Sequence, residues 1–125
     1  MARILLVDDD PDLRRMLQQT LVHFGHTVIE AANGRAGVAL FRQAGADLVI
    51  TDMVMPEQDG LEVLLALRRA QPPVKFIAIS GGGPVSAAEY LKIATILGAT
   101  RVLTKPIVPA ALRAAIDEAL AANPG

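Results

Sequence analysis

The chain has 125 residues, 52% of them hydrophobic, with 12 Lys and Arg against 13 Asp and Glu for a net charge of -1, and it contains no cysteine. Without cysteine there is no disulfide framework, thiolate zinc site or cysteine nucleophile, and so even a charge balance gives no basic footprint for nucleic acid and no polybasic membrane anchor. The expectation is one domain over residues 1–125 with one core, placed in the cytoplasm because no run approaches a signal-peptide core or the ~18 apolar residues of a membrane span.

Short apolar runs rich in β-branched residues recur at residues 4–7, 27–29, 48–50, 76–79 and 102–103, each followed by a polar or glycine break and a helix-like stretch. Five such units leave about 25 residues apiece, enough for one strand and a helix of three or so turns, which predicts a parallel α/β sheet covered by helices on both faces. The first strand runs into Asp8, Asp9 and Asp10. Asp10 is placed to cap the first helix and Pro11 to open it, with Leu13, Met16, Leu17, Leu21 and Phe24 at core spacing and Arg14, Arg15, Gln18 and Gln19 outward. His23 and His26 flank the end of that helix and read as structural residues.

The third strand leads into Asp52, and Met53 and Met55 beside it read, like Met16, as packing residues. A loop is marked by Gln71, Pro72 and Pro73, and another by Gly81, Gly82, Gly83 and Pro84 after the fourth strand has ended at Ser80. In the fourth helix Tyr90, Leu91, Ile93, Ala94, Ile96 and Leu97 spread around most of the circumference, so part of that surface is expected to be exposed, and Tyr90 is a candidate partner contact. The fifth strand ends in Thr104 and Lys105. The last helix opens at Pro109, turns Leu112, Ala115, Ile116 and Ala119 inward, and runs into the breakers Asn123, Pro124 and Gly125, the expected end of the domain.

Ligands of open parallel α/β sheets bind beyond the carboxyl ends of the strands, where the strand order reverses, so the polar residues at those ends carry the chemistry. Asp8, Asp9, Asp10 and Asp12 crowd into the first 12 residues. Capping and the helix dipole account for Asp10 and Asp12 but not for Asp8 and Asp9. If the first and third strands are neighbours, Asp52 joins that pair, and carboxylates so close either raise a pKa or hold a cation between them. A hard divalent ion with oxygen ligands fits, Mg²⁺ best of all, since it accepts one or two carboxylates, waters and a phosphate oxygen. Alone, Asp52 is as well explained as a turn-former before Pro56, Ser80 as a strand end and Lys105 as a surface amine. Together they suit a carboxylate nucleophile that forms an aspartyl phosphate, with Mg²⁺ and the Lys105 ammonium neutralising the transferred group and Ser80 donating a hydrogen bond.

At this point the chain resembles a bacterial response-regulator receiver domain, the phosphoacceptor module of two-component systems. The resemblance covers nearly all 125 residues and rests on the order and spacing of Asp8-Asp9 after "ILLV", "DMVMPEQDG" from Asp52, Ser80 followed by Gly81, and "GATRVLTKP" through Lys105-Pro106. It implies a flavodoxin-like, doubly wound five-stranded parallel sheet of order 2-1-3-4-5, for which receivers are a standing example. By position it implies that Asp52 is phosphorylated, that Asp9 binds Mg²⁺ directly with help from Asp8, and that the Val54 carbonyl completes the protein's share of the metal shell. Ser80 would be the switch hydroxyl and Lys105 the phosphoryl contact, with a cis Lys105–Pro106 peptide. A sensor histidine kinase or phosphotransfer protein would donate the phosphoryl group. An output partner would read the face formed by the fourth helix, fifth strand and last helix, with no direct nucleic acid or membrane contact. The domain would catalyse only its own phosphorylation and dephosphorylation, and would not be an enzyme otherwise.

The chain departs from the family in one respect that bears on output. Val102 stands where the family carries a switch aromatic, and Ile107 replaces the aromatic that often follows the proline. Output is then expected to depend on movement of Gly81, Gly82, Gly83 and the fourth helix, since glycines rearrange at little cost. Three alternatives fit less well. A phosphohydrolase with the same intermediate needs a second acid where Val54 stands, and a flavin or nucleotide carrier would be repelled by Asp8, Asp9 and Asp10, while "GGGP" lacks the ending of a P-loop. A pseudo-receiver scaffold would not need the intact acids and lysine.

Overall fold

The computed structural model describes residues 2–52, 65, 69, 75–80 and 101–121, with Ser80 described in its backbone alone. In chain order these form β1 (Arg3–Val7), α1 (Pro11–His23), β2 (Thr27–Ala31), α2 (Gly34–Ala44), β3 (Leu48–Asp52), β4 (Phe76–Ser80), β5 (Arg101–Thr104) and α3 (Pro109–Ala121). The strands make one sheet in the order β2-β1-β3-β4-β5, parallel throughout. That is the expected doubly wound arrangement. Each strand runs a residue or two beyond its apolar stretch, because ladder pairing takes in Arg3, Glu30, Ala31, Thr51, Asp52, Ser80, Arg101 and Thr104.

Strand alternation sends successive side chains to opposite faces, and the sheet thereby divides the expected single core into two layers. On one face Ile4, Leu6, Leu48, Ile50, Ile77 and Ile79 pack against Leu17 and Leu21 of α1 and Leu112, Ala115, Ile116 and Ala119 of α3. On the other, Leu5, Val7, Val49, Phe76 and Ala78 pack with Phe41 of α2. The inward stripe expected for α3 is thus the observed one. In α1 the stripe is narrower than expected: Met16 is 46% exposed. It precedes Leu17 by one residue, ~100° around the helix, and so faces away from the sheet that Leu17 and Leu21 cover.

The helix starts are chemically explicit. Asp10 accepts hydrogen bonds from the backbone N–H groups of Asp12 at 3.0 Å and Leu13 at 3.3 Å, with Pro11 in the first turn, and Asn33 accepts from Ala36 N–H at 2.8 Å to cap α2. After α1 the chain reverses through Gly25 (φ 97°), a left-handed conformation that suits glycine. His26 then accepts a hydrogen bond from the Ala2 N–H at 3.1 Å. Met53, Val54, Met55, Tyr90, both expected loops and the expected fourth helix around Tyr90 to Leu97 lie outside the described residues; Leu65 and Arg69 are helical. No helix among the described residues is long and apolar enough to cross a membrane.

Helix α2 approaches the sheet through Gly37, where a Cβ would lie 2.8 Å from Cγ2 of the fully buried Val7. A β-branched side chain inside a strand cannot swing aside, so the overpacking outweighs the helix propensity gained by replacing glycine. Gly37→Ala is expected to lower stability by about 1 kcal/mol, read as a lower urea midpoint with an unchanged slope.

Candidate functional site

The same alternation that builds the layer beneath α1 and α3 delivers the polar residues beyond it. The inward row of β1, Ile4 and Leu6, continues to Asp8; that of β3, Leu48 and Ile50, continues to Asp52; and in β5 the row of Leu103 continues to Lys105. Parallel pairing brings these ends to one edge of the sheet. The register of β1 on β3, with Val7 opposite Thr51, sets Asp8 beside Asp52 at the centre, where the chain order reverses.

Carboxylate oxygens of Asp8, Asp9 and Asp52 lie within 4.8 Å of one another. Asp8 is fully buried and Asp52 is 2% exposed, whereas Asp9 is open to solvent. Lys105 approaches from β5 and donates from Nζ to Oδ2 of Asp52 at 3.0 Å. One oxygen of Asp8, Oδ1, accepts from the Asp10 N–H at 2.9 Å; the other, Oδ2, is buried and finds no hydrogen-bond partner among the described residues. A buried carboxylate oxygen left without a donor is costly, and an oxygen-seeking cation would satisfy it.

Electrostatics agree with the geometry. Burial pushes Asp8 from 3.8 up to about 6; the Asp10 hydrogen bond and Lys105 pull it down, and the charges of Asp52 and Asp9 push it further up. Burial pulls the Lys105 ammonium down, but its hydrogen bond to Asp52 and the charges of Asp52, Asp8 and Asp10 together outweigh that, so its pKa lies above the ordinary 10.5. Lys105 is a cation at any physiological pH.

The raised Asp8 has a stability consequence of definite sign. Folded chains hold the Asp8 proton up to about pH 6 and unfolded chains lose it near 3.8, so the native state binds more protons in that window and stability falls as pH rises through it. At pH 7 the ionised Asp8 opposes folding of the metal-free protein. Asp8→Asn is therefore expected to stabilise the metal-free chain at pH 7 by about 1–3 kcal/mol in urea denaturation, and to remove the part of the fall in stability between pH 4 and 6 that Asp8 contributes. A less stable variant would contradict this electrostatic account.

The structure brings Asp8, Asp9, Asp52 and Lys105 together. Ser80 ends β4 opposite Thr104, one residue past the Ile79 that pairs with Asp52. Val54 falls outside the described residues. The Lys105–Pro106 peptide is cis. Val102 is half-buried against the α2-side layer and Ile107 packs on the opposite one, so neither offers a large side chain at the site. One participant was missed. Arg14, expected to face outward, instead donates from a terminal guanidinium nitrogen to the Asp8 carbonyl at 2.9 Å and pairs with Glu30 at 3.5 Å. Alternation within "TVIEA" places Glu30 on the Val28 side of β2, beneath α1, and that was the available signal.

A family model described as response regulator receiver domain matches residues 4–117. The transcriptional regulatory protein GlrR of Escherichia coli is 37% identical over 119 residues, which is 95% of this chain and 26% of that protein, so the chain spans about a quarter of that relative's length. Among solved structures, a response regulator receiver domain protein from Clostridium thermocellum superposes with a TM-score of 0.89 at 29% identity, covering 96% of this chain and 94% of that one. The Vibrio cholerae chemotaxis protein CheY4 superposes with a TM-score of 0.84 at 30% identity, covering 95% and 98%.

Proposed function

The chain belongs to the response regulator receiver domain family, a module of two-component signalling, and from that premise we propose that it is a cytoplasmic switch phosphorylated on Asp52. In this reading an Asp52 carboxylate oxygen attacks the phosphorus of a kinase or phosphotransfer-protein phosphohistidine, the P–N bond breaks, and the imidazole nitrogen leaves with the bonding electrons and takes up a proton. Asp8, Asp9 and Asp52 would hold Mg²⁺ together with the Val54 carbonyl. When bound, the ion supplies positive charge to the phosphoryl oxygens and orients the group. What supports that assignment is the unsatisfied Asp8 Oδ2 inside a triad of converging carboxylates.

Lys105 holds the acceptor before reaction and would move its ammonium from Asp52 Oδ2 to a phosphoryl oxygen as negative charge builds there. The Ser80 hydroxyl, at the end of the neighbouring strand, would donate to another. The domain would act on no other substrate, catalysing only its own phosphorylation and dephosphorylation. The new group would shift affinity for an output partner at the face of the fourth helix, β5 and α3, for which a coupling of about 1–3 kcal/mol suffices. The single observation that carries the reading is a buried carboxylate, Asp52, with an ammonium 3.0 Å away and oxygens of two further carboxylates within 4.8 Å. Incubation with acetyl phosphate tests it: one phosphoryl group is expected in intact-mass spectra with Mg²⁺ and none with EDTA. Equal labelling in both would refute the role of the acidic triad.

A further inference from the structure

Asp8 is held at three points. Its N–H donates to the Ala31 carbonyl of β2 at 3.1 Å, its Oδ1 accepts from the Asp10 N–H, and its carbonyl accepts from Arg14 at 2.9 Å. The first two are contacts of the backbone ladder and the adjoining turn; the third depends on one side chain reaching back from α1. The carbonyl of Asp8 belongs to the peptide plane that leads into Asp9, so whatever holds this carbonyl restrains the backbone from which two of the three converging carboxylates project. Arg14 is itself mostly buried, 21% exposed, and its Nε lies 3.5 Å from Glu30 on the edge strand. A planar guanidinium can serve both partners at once, one nitrogen to the carbonyl and another to the carboxylate, which a lysine ammonium on its flexible stem does poorly.

We infer that Arg14 is a positioning residue for the cation site: anchored by Glu30, it sets the Asp8–Asp9 backbone so that both carboxylates meet the ion. The inference rests on the reading that Asp8, Asp9 and Asp52 hold a divalent cation, and it adds the side chain that aims them. Mg²⁺ requires near-octahedral geometry at short distances, so a tilt of that peptide plane reads out directly as lost affinity. Outer partners of metal ligands typically control affinity by 10–100-fold, and Arg14, acting on a ligand's backbone, is expected near the lower end.

The test is calorimetric titration of MgCl₂ into the wild type, Arg14→Ala, Arg14→Lys, Glu30→Ala and the double alanine variant, with urea denaturation of each in EDTA. Arg14→Ala is expected to weaken Mg²⁺ binding about ten-fold, Arg14→Lys to recover little of it, and Glu30→Ala to cost about three-fold, with no further loss when added to Arg14→Ala. Lost stability with affinity within two-fold of wild type would mark Arg14 as merely structural and overturn the proposal. Full rescue by lysine would overturn it too, since charge alone would then suffice. Should Arg14→Ala fail to fold, Arg14→Lys and Glu30→Ala decide by the same criteria. A wild type that binds no Mg²⁺ would instead refute the cation site itself, a distinct result.

Discussion

Asp52→Asn is expected to take up no phosphoryl group from acetyl phosphate under conditions that label the wild type fully, a loss of at least ~10³-fold. An amide oxygen is a far weaker nucleophile than a carboxylate, and no neighbour can replace it in place. Asp8 is tied to the Asp10 N–H through one oxygen, and Asp9 is open to solvent, whereas Asp52 is buried and engaged directly by the Lys105 ammonium. The substitution conserves volume at a position 2% exposed, and it removes one of three mutually repelling carboxylates, so the fold is expected to persist. Labelling of the variant near the wild-type level would show that the acceptor lies elsewhere.

Lys105→Ala is expected to separate two properties that a general disruption would lower together. The ammonium sits 3.0 Å from Asp52 and competes electrostatically with any cation in the triad, so its removal should tighten Mg²⁺ binding. The same removal deletes a donor aimed where phosphoryl charge develops, which costs on the order of 10²–10³-fold in rate when such a donor is lost in other active sites. Phosphorylation by acetyl phosphate should therefore slow by about 10²-fold while the cation dissociation constant falls. If rate and cation affinity decline in parallel, Lys105 is holding the site together instead of stabilising transferred charge.

Much of this site was legible because period-two alternation and parallel topology act on short segments. Once Ile4 and Leu6 are assigned to one face, Asp8 follows, and Leu48 and Ile50 place Asp52 in the same way. The cap of α1 was equally readable: Asp10 before Pro11 satisfies orphan N–H groups with its own carboxylate, a local matter needing no knowledge of the sheet. Residues governed by distant contacts were not. Met16 is apolar and nearly on the inward stripe of α1, yet whether that flank is covered depends on where the sheet ends beneath it, and it is exposed. Arg14 looked like surface charge because a helical pattern carries no information about β2, whose Glu30 gives it a partner across the sheet edge.

That the sequence also separates chemistry from output follows from particular residues. The acids and the lysine are all present, while Val102, half-buried among the α2-side layer, is β-branched and fixed where the family's switch aromatic would stand. In the proposed mechanism that position has no part in the transfer, so phosphorylation and the transmission of its effect would be independently testable in this chain.

The most direct measurement is borohydride reduction of the protein after acetyl phosphate and Mg²⁺ treatment, followed by peptide mass spectrometry. An acyl phosphate is reduced to an alcohol, so homoserine is expected at position 52, dependent on Mg²⁺ and absent elsewhere. Homoserine at position 8 or 9, or unreduced Asp52 in a protein that carries the phosphoryl mass, would contradict the account.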